Sequence, residues 1–157
     1  MDKKLVVAAD LAGMALKDDI VCYLKQKGYE ITDVGIRKAE EPMYYGLVAA
    51  HIAQAVQRGA FTRGIVVCGT GQGVMQVCNK FRGIYCALGY SALAAKKSRI
   101  INNANMLALG GLMTTPTVAR DIVDAFLETE FCQGETPERV TFLTTLRGQC
   151  DGYGQIL

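Results

Sequence analysis

The stretch Gly64-Ile65-Val66-Val67-Cys68-Gly69-Thr70-Gly71-Gln72-Gly73 decides the fold. Its first half is short, apolar and β-branched, which reads as a buried strand. Val74 to Lys80 (V-M-Q-V-C-N-K) reads as the helix that follows. A thiol therefore ends a strand, and a glycine-rich turn separates it from a helix. In open α/β sheets the carboxyl edge of the strands is where ligands bind. Glycines let backbone N–H groups approach a ligand closely, and a helix N-terminus favours anions and thiolates. The stretch thus offers a sulfur base beside an oxyanion cradle. Packing explains the same pattern: a buried cysteine is usually a small hydrophobe, and on spacing alone that reading of Cys68 is the favoured one. Two ligand classes drop out. The G-x-G-x-x-G dinucleotide fingerprint needs a glycine where Val74 stands, and no Gly-Lys-Ser/Thr follows as in a P-loop.

Outward from this stretch, strands and helices alternate. Lys3 to Ala9 is a first strand, apolar enough to be central in a parallel sheet, and Asp10 to Gly13 is its loop. Met14 to Lys27 is a helix with Leu16, Ile20, Tyr23 and Leu24 on one face and Gly28 as its stop. Tyr29 to Val34 is a strand, Gly35 to Pro42 a polar loop, and Met43 to Arg58 a helix. Downstream, Ile84 to Leu88 is a strand, Ser91 to Ile101 a helix, and Met106 to Leu109 a strand. Thr115 caps a helix with Pro116 at its first position, running to about Glu128. Glu130 to Pro137 is a loop, Glu138 to Gln149 a weaker helix, and Asp151 to Leu157 a loosely held tail. This alternation predicts a three-layer α/β sandwich on a mostly parallel sheet. Residues 1–150 form one domain, with 151–157 as the tail. The loops at Asp10, Cys68 to Gly73, Gly89 and Gly110 then share one edge, which makes Asp10 and Cys68 candidates for one site.

Composition narrows the partners. The chain has 157 residues, half of them apolar, and a net charge of +2, so no nucleic-acid footprint is implied. No apolar run reaches the length of about 20 residues that spans a bilayer. The six cysteines (22, 68, 78, 86, 132, 150) show no C-x-x-C pair and no zinc spacing, so free thiols in a reducing cytoplasm are expected. His51 stands alone in mid-helix and reads as a surface or packed histidine.

Several stretches then carry a resemblance. They are Ala9-Asp10-Leu11-Ala12-Gly13, Cys68-Gly69-Thr70-Gly71-Gln72-Gly73, Asn79-Lys80, Ser98-Arg99, Asn102-Asn103-Ala104-Asn105-Met106-Leu107-Ala108-Leu109-Gly110, and Ile122 to Leu127. The chain resembles the ribose-5-phosphate isomerase B family, which includes the galactose-6-phosphate isomerase subunits. The resemblance implies a Rossmann-like three-layer sandwich with a five-stranded parallel sheet. It also implies a homodimer or homotetramer whose active site lies at the dimer interface. The implied reaction interconverts an aldose and a ketose of a small sugar phosphate through an enediolate, with no cofactor and no metal.

By the same resemblance Cys68 is the base, which reverses the packing preference. Thr70 and Asp10 handle hydroxyl protons, and Asn102 hydrogen-bonds the intermediate. Leu11, Gly69, Gly71, Gly73, Tyr44, Ile101 and Arg139 fall at substrate-binding positions. The departures are as informative. Leu11 and Ile101 stand where the family has histidines, the second of which opens the sugar ring. Glu41 replaces a tyrosine, and Leu112 and Glu135 replace arginines on the phosphate side. The substrate is then open-chain, as a four-carbon sugar phosphate would be, or its ring opens without help. Two alternatives stay open: an unphosphorylated or carboxylate-bearing keto sugar, and a non-catalytic subunit that needs an unlike partner. Arg99, Lys80 and Arg37 are the candidate replacement cations.

Overall fold

The computed structural model describes residues 2–36 and 43–153. The loop expected at Gly35 to Pro42, with Arg37 and Glu41 in it, lies mostly outside the described residues, as does the end of the tail from 154 to 157.

The elements are β1 (Lys4–Ala9), α1 (Met14–Gln26), β2 (Glu30–Asp33), α2 (Tyr45–Gln57), β3 (Gly64–Cys68), α3 (Gln72–Cys78), β4 (Cys86–Leu88), α4 (Ala92–Asn102), β5 (Met106–Gly110), α5 (Pro116–Leu127) and α6 (Pro137–Tyr153). A 3-10 turn, Leu11–Gly13, fills the loop after β1. The five strands form one sheet in the order β2-β1-β3-β5-β4, and every pairing is parallel. This is the expected Rossmann-like sandwich, with helices on both faces of the sheet.

Side-chain alternation divides the core between the two faces. Leu5, Val7, Ala9, Ile65, Val67, Leu107 and Leu109 pack against α1 and α5. Val6, Ala8, Val66, Cys68, Met106 and Ala108 face the other way, onto Val48, Ala49, Ile52, Ala53 and Val56 of α2 and Val74 and Cys78 of α3. Strands buried on both faces have no polar alternation, which is why β1, β3 and β5 read as continuous apolar runs.

Two boundaries differ from the sequence reading. β4 is Cys86–Leu88, not Ile84 to Leu88. The Ile84 amide bonds the Phe81 carbonyl and the Tyr85 amide bonds Asn105 Oδ1 at 2.8 Å, so neither joins the ladder. Asn79 then pins the strand start, donating to the Cys86 carbonyl and accepting its N–H at 2.9 and 2.8 Å. Asn79 is thus a structural clamp. Finally, α6 runs through Tyr153, three residues into the expected tail. Leu143, Leu146, Cys150 and Tyr153 recur at helical spacing, and Arg147 pairs with Asp151 at 2.6 Å across one turn.

The order of the strands creates a crevice. From β1 the chain crosses by α1 on one face to β2; from β3 it leaves by α3 on the other face. Neighbouring loops therefore diverge at the carboxyl ends of β1 and β3, a topological switch point. Asp10 and Cys68 flank it.

Candidate active site

Cys68 ends the central strand and is 5% exposed. Its Sγ accepts the Gly71 N–H at 3.1 Å. That contact needs the left-handed backbone of Gly71 at φ +80°, which turns the amide back toward the sulfur. A side chain there would also strike Leu88 Cδ1 at 2.7 Å and the Leu109 carbonyl carbon at 3.0 Å. Thr70 is exposed beside it and accepts the Gln72 N–H on Oγ1 at 3.4 Å.

Across the crevice, the Asp10 N–H donates to the Val67 carbonyl at 3.2 Å. Its carboxylate accepts the Gly13 N–H at 3.0 Å and caps the 3-10 turn. Gly13 has no room for a side chain: a Cβ would lie 2.6 Å from the Val67 carbonyl group. The turn therefore sits directly on the end of β3, which brings Asp10, Leu11 and Ala12 to the glycine loop. The loop after β5 closes the third side. Gly111 N–H bonds the Cys68 carbonyl at 2.7 Å and Leu112 N–H bonds the Gly69 carbonyl at 2.9 Å. Leu112 and Ala12 lie against Gly69; a Cβ there would sit 3.4 Å from Leu112 Cδ1 and 3.5 Å from Ala12 Cβ. Leu11 and Leu112 are both exposed, so this rim is apolar.

Of the two tyrosines near this edge, Tyr45 meets the glycine loop. A Cβ on Gly73 would fall 2.8 Å from its ring. Tyr44 is the N-cap of α2 and 80% exposed. The structure therefore brings together Asp10, Leu11, Cys68, Gly69, Thr70, Gly71 and Gly73 at one edge, with Tyr45 nearer than Tyr44. His51 is exposed on α2.

Ile101, Asn102 and Arg139 are not there. α4 leaves the carboxyl edge after β4 and returns the chain to the amino edge before β5, so Ile101 and Asn102 sit at the opposite end of the sheet. They line an open groove of about 370 Å³ with Tyr85, Leu146, Arg147 and Tyr153. The α5–α6 loop is fastened to the same place. Cys132 N–H bonds the Ile100 carbonyl at 3.0 Å from a left-handed conformation at φ +59°. Glu135 N–H bonds the Cys132 carbonyl at 3.1 Å, and Thr136 Oγ1 accepts the Arg139 N–H at 3.3 Å at the start of α6. Leu146 and Arg147 fall within the helix expected from the sequence, whereas Tyr153 escapes a reading that stops the helix at Gln149; the apolar spacing past that residue is the signal for it.

Arg99 is not a spare cation. It is buried, and its guanidinium holds the carbonyls of Thr129 and Ala104 and Asn103 Oδ1. Burial, then the nearby Arg63, lowers its pKa to about 10. Cys78 and Cys86 lie in the core as expected; their mutual hydrogen bond and burial push the Cys86 thiol up. All six cysteines are free. Among the described residues no helix is long and apolar enough to cross a membrane.

Comparison with known proteins agrees with this architecture. Residues 5–143 match the Ribose/Galactose Isomerase family model. The chain is 39% identical to a 4-deoxy-4-sulfo-D-erythrose isomerase of a Clostridium species, over 89% of this chain and 88% of the relative. It is 38% identical to the D-erythrulose-4-phosphate isomerase of Pectobacterium atrosepticum, over 87% and 90%. The solved ribose-5-phosphate isomerase B of Clostridium thermocellum superposes with a TM-score of 0.83 at 36% identity, covering 96% of this chain and 99% of that one. The strand order, the glycine loop after β3 and the family match over most of the chain lead to one assignment: this protein belongs to the ribose/galactose isomerase family and is a sugar isomerase that interconverts aldoses and ketoses.

Proposed function

We propose that the chain isomerises a four-carbon, open-chain sugar with an acidic tail, using Cys68 as the base. The thiolate takes the proton from the carbon beside the carbonyl and leaves an enediolate. The proton then returns to the neighbouring carbon. Gly71 N–H, 3.1 Å from Sγ, orients the sulfur. The glycine-loop amides supply donors for the enediolate oxygen. Thr70 and Asp10, beside and opposite Cys68, move protons between the two oxygens. The observation that carries this reading is the placement of Cys68 and Asp10 on either side of the β1/β3 switch point.

Asn102 cannot serve the same sugar as the Cys68 of its own chain. β3 and β5 each have five residues, about 17 Å at 3.3–3.4 Å per residue. Proton transfer needs contact at about 3 Å. The site we propose is therefore shared: the carboxyl edge of one copy faces the amino edge of a second, which brings Asn102, Ile101 and Arg139. Ile101 has no proton to give a ring oxygen. The two four-carbon relatives carry sulfonate or phosphate names at position 4, and a sugar blocked there cannot close a furanose ring. Their substrates and Ile101 point the same way.

Deuterium exchange in D₂O tests the reading. Four- to six-carbon sugars, their phosphates and uronate-derived keto sugars are followed by NMR with wild type, Cys68→Ala and Asn102→Ala. Label appearing beside the carbonyl of one four-carbon compound, and lost with Cys68→Ala, is the expected result. Mixing and refolding the two variants together should restore about a quarter of the wild-type rate, because half the dimers then hold one intact site of two. Exchange unchanged in Cys68→Ala overturns the base assignment. Loss of Asn102 without effect, or no recovery on mixing, overturns the shared site. A chain inactive until an unlike chain is added is the outcome for the subunit reading.

A further inference from the structure

The charges around both half-sites bear on the tail of the substrate, and the inference rests on the shared site proposed above. At the carboxyl edge, the described loops and first helical turns contain one cation, Lys17. It is buried, and its Nζ lies 2.6 Å from both Asp18 and Asp33. The rest of that described rim, with Asp10, Leu11, Thr70, Leu112, the glycines and the tyrosines, adds no cation. At the amino edge, Arg139 faces Glu135 at 3.9 Å and lies over the Phe142 ring at 5.1 Å. Arg147, the cation in the Asn102 groove, is paired with Asp151 at 2.6 Å and stacks on Tyr85. Lys80 and Arg82 line a different groove, with Phe81, Ile84 and Asp151, that includes neither Ile101 nor Asn102. Arg63 and Arg99 spend their guanidinium groups on Glu130 and backbone carbonyls. Apart from Lys80 and Arg82, each of these described cations is thus already engaged by a carboxylate, with Arg63 and Arg99 sharing Glu130.

A phosphate monoester at neutral pH carries a charge of about −1.5 to −2 and is held by several charge-assisted hydrogen bonds. An Arg–Glu pair offers one guanidinium and presents a carboxylate to the same ligand. It suits a singly charged tail, which Arg139 can take while Glu135 turns toward solvent. We propose that the substrate tail is a single negative charge, a sulfonate or a carboxylate, and that Glu135 is the residue that discriminates against a dianion.

The test measures kcat/KM for matched four-carbon sugars with a phosphate, a sulfonate, a carboxylate or a free hydroxyl at the far carbon. Wild type should prefer a singly charged tail over phosphate by at least about tenfold, the scale of one like-charge contact at partial burial. The sulfonate and carboxylate arms then tell the two sources of that charge apart. Glu135→Gln should raise kcat/KM for phosphate by about tenfold and for the singly charged compounds by only about threefold, since the repulsion scales with the charge of the tail. Arg139→Gln should lower the preferred compound through KM. Glu135→Ala serves as the second variant if the first fails to fold. Faster turnover of phosphate or of the neutral sugar by wild type overturns the proposal, as does a Glu135→Gln enzyme with unchanged preference. Either leaves Cys68-dependent isomerisation standing. No exchange with any of the compounds instead overturns the isomerisation reading beneath it.

Discussion

Gly71→Ala is the perturbation whose consequences can be worked furthest. Gly71 sits at φ +80° and its N–H is the 3.1 Å partner of Cys68 Sγ. An alanine in this left-handed region costs about 1–2 kcal/mol on backbone grounds. Its Cβ meets Leu88 Cδ1 at 2.7 Å, a side-chain tip that can rotate away. It also meets the Leu109 carbonyl carbon at 3.0 Å and the Gly110 nitrogen at 3.2 Å. Those atoms belong to β5, hydrogen-bonded to β3, and cannot move freely. Overpacking of this kind adds about 1–3 kcal/mol. The total, about 3 kcal/mol, lowers a urea midpoint by about 1.5 M for an m-value near 2 kcal/mol/M. A domain of ordinary stability, about 5–15 kcal/mol, survives this. The loop can relieve the clash by lifting off β5, and the amide then leaves the sulfur. The urea midpoint and the Cys68-dependent exchange rate are therefore measured on the same protein, and at least one must fall. A Gly71→Ala protein whose midpoint stays within about 0.3 M and whose exchange rate is undiminished refutes the reasoning.

Cys68→Ala should lower the isomerisation rate by about 10²–10⁴, the usual contribution of a positioned base, and cost about 1 kcal/mol for the Gly71 N–H left unpaired; NMR exchange and urea unfolding read the two separately. Gly73→Ala pushes a methyl into the Tyr45 ring at 2.8 Å; Tyr45→Ala should rescue it, with a coupling of about 1 kcal/mol in a double-mutant cycle. Lys17→Met should destabilise by about 2 kcal/mol, since it removes the ammonium that contacts both Asp18 and Asp33 at 2.6 Å. Burial alone would lower the Lys17 pKa, but the hydrogen bonds to Asp18 and Asp33 outweigh it and hold it above 10.5. Its stabilisation is then fully present below pH 10.5 and lost as pH rises through the folded value. Wild type should lose more stability across that alkaline range than Lys17→Met does, as followed by chemical unfolding between pH 8 and 11.5.

The parts of the fold that follow from burial on two faces were legible. β1, β3 and β5 are apolar without alternation, and glycines or caps mark the ends of most helices. β4 starts later than expected because Asn105, distant in sequence, captures the Tyr85 amide, and the Phe81 carbonyl takes that of Ile84. Nothing within Ile84 to Leu88 signals that. Tyr44 and Tyr45 could not be separated by sequence, since one residue of helix phase decides which ring lies on Gly73. Arg99 read as an available cation because its partners are carbonyls, which composition does not display. Asn102 resembled a neighbour of Cys68 by role, yet a parallel sheet sends the residues that follow a strand and those that precede the next one to opposite edges. That rule was available from the alternation of elements alone.

The substitutions that set this chain apart sort by the atom of substrate they would meet. An enediolate involves two adjacent carbons and their oxygens whatever the length of the sugar. The groups assigned to those atoms, Cys68, Thr70, Asp10 and Asn102, are all present. Ile101 would meet a ring oxygen, which an open four-carbon sugar lacks. Leu11, Leu112 and Glu135 would meet the far end, where a cationic clamp would suit a dianion. A decayed site would lose its groups without regard to such a division. On the proposed assignment the groups for the carbonyl end are all in place, and the changes elsewhere agree with one another: no ring to open, and one charge to hold. This agreement favours a working isomerase of altered specificity over a non-catalytic subunit. It also explains why the buried Cys68 keeps its Gly71 partner while the exposed rim above it has turned apolar.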